Sequence, residues 1–174
     1  MTEFVLGGGC FWCLDSSYMQ FAGITDVVVG YAGGHTQNPD YESVCGGGTG
    51  HTEVAKVIFD ETVIPADVVL DIFFTIHDPR QLNRQGNDIG TQYRSAMYYT
   101  DASQQQLFQA AVERAKLHWD GPIVTEITPL DVFWVGEEYH QDFFAKNPNQ
   151  GYCVAVVSPK MAKARAAHAQ YLKG

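Results

Sequence analysis

A chain of 174 residues with 45% hydrophobic content can bury one sizeable core and falls short of what two domains usually need, so one domain over 1–174 is expected. A net charge of −9 argues against nucleic acid and against an anionic membrane surface as partners. No apolar run is long enough to span a bilayer and Met1-Thr2-Glu3 opens no basic region before an apolar one, so neither a membrane span nor a secretory signal is expected, and the cytoplasm is the expected compartment.

Phe4-Val5-Leu6 is a short apolar run, Gly7-Gly8-Gly9 follow it, and Phe11, Leu14 and Tyr18 then recur at helical spacing. Three glycines thus carry a strand into a helix, with Cys10 at the junction. Backbone N–H groups without intrahelical partners and the positive end of the helix dipole meet there, so a Cys10 thiolate should be stabilised, and the residue is a candidate nucleophile. The plain alternative is a small buried hydrophobe. Gly23 suits a helix stop, and Val27 to Tyr31 forms a strand running into Gly33-Gly34. His35 to Gly50 is too polar and Gly-rich for a regular element and is predicted as a long loop. Val54 to Phe59 is a second β-branched strand. A helix follows with Val68, Val69, Ile72, Phe73 and Ile76 on one face; Pro65 and Asp67 suit its first turn, and His77-Asp78-Pro79 ends it.

Arg80 to Arg94 is a second polar loop, and long ordered loops tend to carry function. Ser95 to Tyr99 is a strand. Asp101 with Gln104 resembles a capping box opening a helix whose apolar face is Leu107, Phe108, Ala111, Val112, Ala115 and Trp119. Ile123 to Thr128 is a strand, Phe133 to Phe144 is aromatic-rich and fits no single element, Val154 to Val157 suggests an edge strand, and Met161, Ala164, His168 and Tyr171 mark a C-terminal helix. The order β-α-β-β-α-β predicts an α+β fold, a two-layer sandwich on a ferredoxin-like (split βαβ) core, with a mainly antiparallel sheet and long ordered loops.

The four cysteines are Cys10, Cys13, Cys45 and Cys153. A chain of this size without an export signal needs no disulfide framework. Cys10 and Cys13 could form one zinc knuckle, but Cys45 and Cys153 supply no second Cys-x-x-Cys, so no metal is expected. On a helix, residues i and i+3 are neighbours within disulfide reach, so Cys13 can attack anything oxidised at Cys10. Taken alone, this pair suggests a thioredoxin-like disulfide oxidoreductase. Phe11 and Trp12 between them are either core or the wall of a pocket for an apolar group such as a thioether methyl.

Gly9-Cys10-Phe11-Trp12 is followed in order by Gly30-Tyr31-Ala32-Gly33-Gly34, Asn38-Pro39-Asp40-Tyr41, Gly48-Thr49-Gly50-His51-Thr52-Glu53, His77-Asp78-Pro79, Arg84-Gln85-Gly86-Asn87-Asp88-Ile89-Gly90-Thr91-Gln92-Tyr93-Arg94-Ser95 and Gly151-Tyr152-Cys153. This series resembles the A-type peptide methionine sulfoxide reductases from Cys10 to Cys153. The resemblance implies a catalytic domain that reduces methionine (S)-sulfoxide, free or in proteins, to methionine through a sulfenic acid on Cys10 and then an intramolecular disulfide. It implies no cofactor, and thioredoxin or a similar dithiol as reductant. A monomer is expected.

In the family pattern Glu53 matches the acid that protonates the sulfoxide oxygen, Tyr41 and Tyr93 match hydroxyl donors to that oxygen, and Asp88 matches a hydrogen-bonding support. The residues alone favour plainer readings, with Glu53 as a loop cap, Asp88 in an Asx turn after Asn87 and the tyrosines as loop packing. Cys13 departs from a common family pattern in which a C-terminal cysteine resolves. Cys13 is expected as first resolver and Cys153 as a relay that requires the tail to fold over the site. Cys45 is expected to be structural, and His51 and His77 to be loop hydrogen-bonding residues.

Overall fold

The computed structural model describes residues 1–174. In chain order it contains β1 (Thr2–Gly7), α1 (Phe11–Tyr18), β2 (Ile24–Ala32), α2 (Tyr41–Cys45), β3 (Thr52–Phe59), α3 (Ala66–Ile76), β4 (Arg84–Gln85), β5 (Asp88–Ile89), β6 (Ala96–Tyr99), α4 (Ala102–Ala115), β7 (Glu126–Pro129), β8 (Trp134–Val135), α5 (Phe143–Lys146) and α6 (Ser158–Ala167). The result is a mixed α+β fold. Six strands form one sheet in the order β7-β6-β1-β3-β2-β8, and β4 pairs with β5 as a separate hairpin. Every pairing in the main sheet is antiparallel except β6 with β7.

Alternation along the strands sends Phe4, Leu6, Ala55, Val57 and Phe59 to one face, where they meet Leu14, Tyr18, Val69, Phe73 and Phe108 from the helices in a cluster of 22 buried residues. The Phe4 ring sits 5.0 Å from Phe59 and 5.2 Å from Phe108, so truncating it to Ala should destabilise by about 3–5 kcal/mol. The opposite face buries Val5, Ala32, Val54, Ala96 and Tyr98 beneath Leu130 and Phe133. No helix is long and apolar enough to cross a membrane.

Several predicted elements change on folding. The loop from His35 to Gly50 contains α2, opened by a reciprocal cap in which the Ser43 N–H donates to Asp40 Oδ1 at 2.8 Å and the Asp40 N–H donates to Ser43 Oγ at 3.1 Å. The loop from Arg80 to Arg94 contains the β4–β5 hairpin and a 3₁₀ turn at Thr91–Tyr93. The strand expected at Ile123 to Thr128 is shorter and displaced to Glu126–Pro129.

Val154 to Val157 is not an edge strand: Cys153–Val157 forms a π-helical turn continuous with α6. Cys153 and Val157, four apart, are both buried while Val154 is 57% exposed, a helical rather than an alternating pattern. Pro159 lacks the N–H that would bond the Ala155 carbonyl, and the widened turn sits where that bond is missing. The C-terminal helix stops at Ala167, leaving His168 before a short 3₁₀ turn at Ala169–Tyr171.

Candidate active site

The site starts at the junction of β1 and α1. Gly9 turns the chain at φ +82°, and a Cβ there would lie 3.0 Å from Gln85. Its N–H donates to the Tyr93 carbonyl at 3.2 Å, joining the junction to the loop after β5. Cys10 caps α1 in an extended conformation (φ −68°, ψ 132°), and its carbonyl accepts the Cys13 N–H at 3.1 Å. The thiol is only 7% exposed. The expected thiolate is not the resting form, because burial first, then the Glu53 and Cys13 charges, hold the thiol well above its ordinary pKa, with a Trp12 backbone hydrogen bond opposing them. Burial outweighs the helix N-terminus.

Glu53 lies on β3 opposite Tyr31, so the loop-cap alternative does not apply. It is 1% exposed. The Phe11 N–H donates to its Oε1 at 3.2 Å, while Oε2 is buried without a partner. Burial pushes its pKa up to about 8, opposed by the Phe11 bond and reinforced by Asp88. Glu53 therefore favours its protonated form at neutral pH. Tyr41 begins α2 and Tyr93 ends the 3₁₀ turn. Burial raises both hydroxyls; the Cys45 hydrogen bond adds to this at Tyr41, and the Glu53 charge acts on both.

The cysteines Cys10, Cys13 and Cys153 fall in one buried cluster with Phe11, Tyr31 and Val157, against which Trp12, Tyr41 and Tyr152 pack. All are free thiols. Burial raises Cys13 to about 11, with Lys160 and a Tyr152 hydrogen bond lowering it. Tyr152 also donates to Asp88 Oδ2, so this carboxylate reaches the cysteines through the tyrosine rather than forming an Asx turn alone. Cys153 is fully buried, and its N–H donates to Gln150 Oε1 at 3.1 Å. The tail is already folded over the site. Cys45 departs from expectation: it is exposed at the end of α2, where the Tyr41 hydroxyl bonds it.

Phe11 is fully buried, with its ring 5.7 Å from Tyr31. Trp12 is half-buried, stacks on Phe143 at 3.7 Å and 3°, and donates its Nε1–H to His140 Nδ1 at 3.0 Å. Glu137 receives the Tyr31 hydroxyl at 2.8 Å and the Tyr41 N–H at 2.9 Å. Residues 137–143 thus close one side of the site. His51 and His77 are buried hydrogen-bonding residues: the Gly34 N–H donates to His51 Nδ1 at 3.0 Å, and the His77 ring bonds the Phe73 carbonyl and Ser95 Oγ.

Sequence reasoning missed Tyr152, Glu137 and His140. Tyr152 stood in a quoted motif, whereas the other two lay in the stretch that matched no single element. No three His, Cys, Asp or Glu side chains are grouped to hold a metal. A cavity of about 600 Å³ lies among Phe74, Trp119 and Lys163, and no cysteine lines it.

The arrangement can offer a nucleophilic sulfur, a neutral carboxylic acid beside it and further thiols within one buried cluster. Residues 2–172 match the family model described as peptide methionine sulfoxide reductase. The chain is 61% identical over 173 residues to the peptide methionine sulfoxide reductase MsrA of Clavibacter michiganensis, covering 99% of each chain, and 56% identical over 172 residues to that of an Arthrobacter strain, again covering 99% of each. The reduced form of Mxr1 from Saccharomyces cerevisiae superposes with TM-score 0.83 at 36% identity, covering 87% of this chain and 88% of that one. Methionine sulfoxide reductase A of Corynebacterium diphtheriae superposes with TM-score 0.82 at 37% identity, covering 88% and 77%. This chain belongs to the peptide methionine sulfoxide reductase family.

Proposed function

We propose that this chain reduces methionine (S)-sulfoxide, free or in proteins, to methionine at Cys10, with Glu53 as the acid and thiols as the source of electrons. The reading is carried by one observation: Glu53 is buried, neutral at pH 7, bonded through one oxygen to the residue after Cys10, and unpartnered at the other. A sulfoxide sulfur is a poor electrophile until its oxygen is polarised, and a protonated acid beside the thiol answers that need. The name carried by relatives as much as 61% identical over 99% of the chain supports the same reaction.

Cys10 Sγ bonds to the sulfoxide sulfur, and the oxygen takes a proton relayed through Glu53, with Tyr41 and Tyr93 donating to it. The oxygen then moves to Cys10 Sγ as its bond to the substrate sulfur and the Sγ–S bond both break, methionine leaves, and Cys10 carries a sulfenic acid. The proton lost by the Cys10 thiol is the one the oxygen gains, so a resting thiol suits the step. Cys13 attacks that sulfur next, a disulfide forms and water departs. Cys153 passes the disulfide outward, and thioredoxin or a similar dithiol reduces it. Phe11 and Trp12 form the apolar wall for the substrate methyl group.

The strand order β6-β1-β3-β2 with antiparallel pairing supports a split βαβ core within one domain. We place the enzyme in the cytoplasm as a monomer, where thiol reductants are supplied. Incubation with dithiothreitol and resolved sulfoxide epimers tests the function: the S epimer is consumed and the R epimer persists. Consumption of neither, or of both alike, contradicts it.

A further inference from the structure

His140 lies outside the family motifs, yet it touches three residues of the site. It is 1% exposed, and its ring centroid lies 4.9 Å from Phe11, 4.6 Å from Tyr41 and 5.7 Å from Trp12. Nδ1 accepts the Trp12 indole N–H at 3.0 Å, so the ring is neutral and carries its proton on Nε2, which is buried without a partner. Trp12 is otherwise held by flat stacking on Phe143 and an edge contact with Tyr152 at 5.8 Å. Stacked rings slide and turn in their common plane with little loss, whereas a hydrogen bond from the indole nitrogen fixes that rotation.

We propose that His140 is a positioning residue whose neutral imidazole locks the Trp12 indole and thereby shapes the wall that receives the methyl group of the sulfoxide. The inference rests on the reading of Trp12 as that wall. A wall that contacts the non-reacting methyl holds ground state and transition state alike, so its loss appears in KM and spares kcat. His140 neither touches the reacting sulfur nor exchanges a proton with it.

The test compares His140→Phe, which keeps a ring and removes the acceptor, with His140→Asn, whose amide oxygen can stand in for Nδ1. The three tryptophans give separate indole N–H resonances in ¹⁵N-labelled protein. Trp119, which donates to the Phe74 carbonyl at 3.1 Å, is an internal control. In His140→Phe the Trp12 resonance shifts, that of Trp119 does not, KM for methionine sulfoxide rises about tenfold and kcat stays within about twofold, as expected for one lost buried hydrogen bond. His140→Asn returns KM to within about threefold of the parent.

An unmoved Trp12 resonance, equal impairment in both variants, or a loss confined to kcat overturns the proposal. If His140→Phe does not fold, ¹⁵N-histidine spectra of the parent decide: an unprotonated Nδ1 agrees and a protonated one overturns it. A parent that reduces no sulfoxide defeats the proposed function, while the indole resonances still report on the His140–Trp12 bond.

Discussion

The Phe11 N–H donates to Glu53 Oε1 at 3.2 Å, tying the strand that carries the acid to the first residue of the helix that Cys10 caps. Cys10 and Glu53 are thereby held together although they stand far apart in the chain. Glu53→Gln keeps an acceptor for Phe11 and removes the acidic proton. Its kcat should fall by about 10²–10³ with KM within a few-fold, the scale of losing one group that stabilises developing charge. Because the active form is protonated, parent kcat/KM should fall as pH rises through about 8. Steady-state kinetics from pH 6 to pH 9.5 check both.

Glu53 and Asp15 are both buried carboxyls with raised pKa values, about 8 and about 7, against ordinary values of 4.5 and 3.8. Burial is the leading cause in each. The Asp142 N–H donates to Asp15 Oδ2 at 3.0 Å, and Oδ1 has no partner. A raised folded-state pKa contributes stability that is complete below the unfolded value and lost as pH rises through the folded one. The Glu53→Gln and Asp15→Asn variants should therefore gain on the parent as pH rises from about 4 to about 8.5, by an amount on the order of a few kcal/mol. Calorimetric midpoints at both ends of that range test the sign.

The shared burial of Cys10, Cys13 and Cys153 predicts a sequence of disulfides. One equivalent of methionine sulfoxide should give a Cys10–Cys13 bond in Cys153→Ser protein as fast as in the parent, with turnover supported by thioredoxin slowed. In Cys13→Ser protein, oxidised Cys10 should persist longer before it pairs with Cys153. Mass mapping of quenched samples distinguishes this order from direct resolution by Cys153.

Tyr152 bonds both Asp88 and Cys13. Replacing it with Phe removes an interaction that lowers the Cys13 thiol, pushing that pKa further above about 11. Disulfide formation after the first turnover should slow by about tenfold, the effect of roughly one buried hydrogen bond, while the thiol available at Cys10 for sulfoxide reduction changes less. Stopped-flow comparison of the two phases checks the split.

Local rules made much of the fold legible. The glycine junction before Cys10, the periodic face from Val69 to Ile76 and the Asp101 cap each declare themselves within a few residues. What stayed hidden depends on distant closure. Trp12 and His140 meet across 128 positions, and nothing near His140 announces that contact. Val154 to Val157 carries β-branched residues, yet burying Cys153 and Val157 on one face of a widened turn overrode their strand preference. The motifs singled out Cys10, Glu53, Tyr41, Tyr93 and Asp88 but not their geometry. The protonation of the resting thiol escaped because helix-end stabilisation is legible locally and burial is not.

In the proposed reaction Cys10 takes the sulfoxide oxygen and a neighbouring thiol resolves the sulfenic acid. A rapid-quench single turnover with one equivalent of methionine (S)-sulfoxide and no added reductant, followed by mass analysis of the protein, follows both events. About one methionine should be released per chain, with a disulfide containing Cys10 in the parent and one added oxygen on Cys10 when Cys13 and Cys153 are both serine. Methionine release by Cys10→Ser protein at the parent rate, or release from the parent with every thiol still reduced, contradicts it.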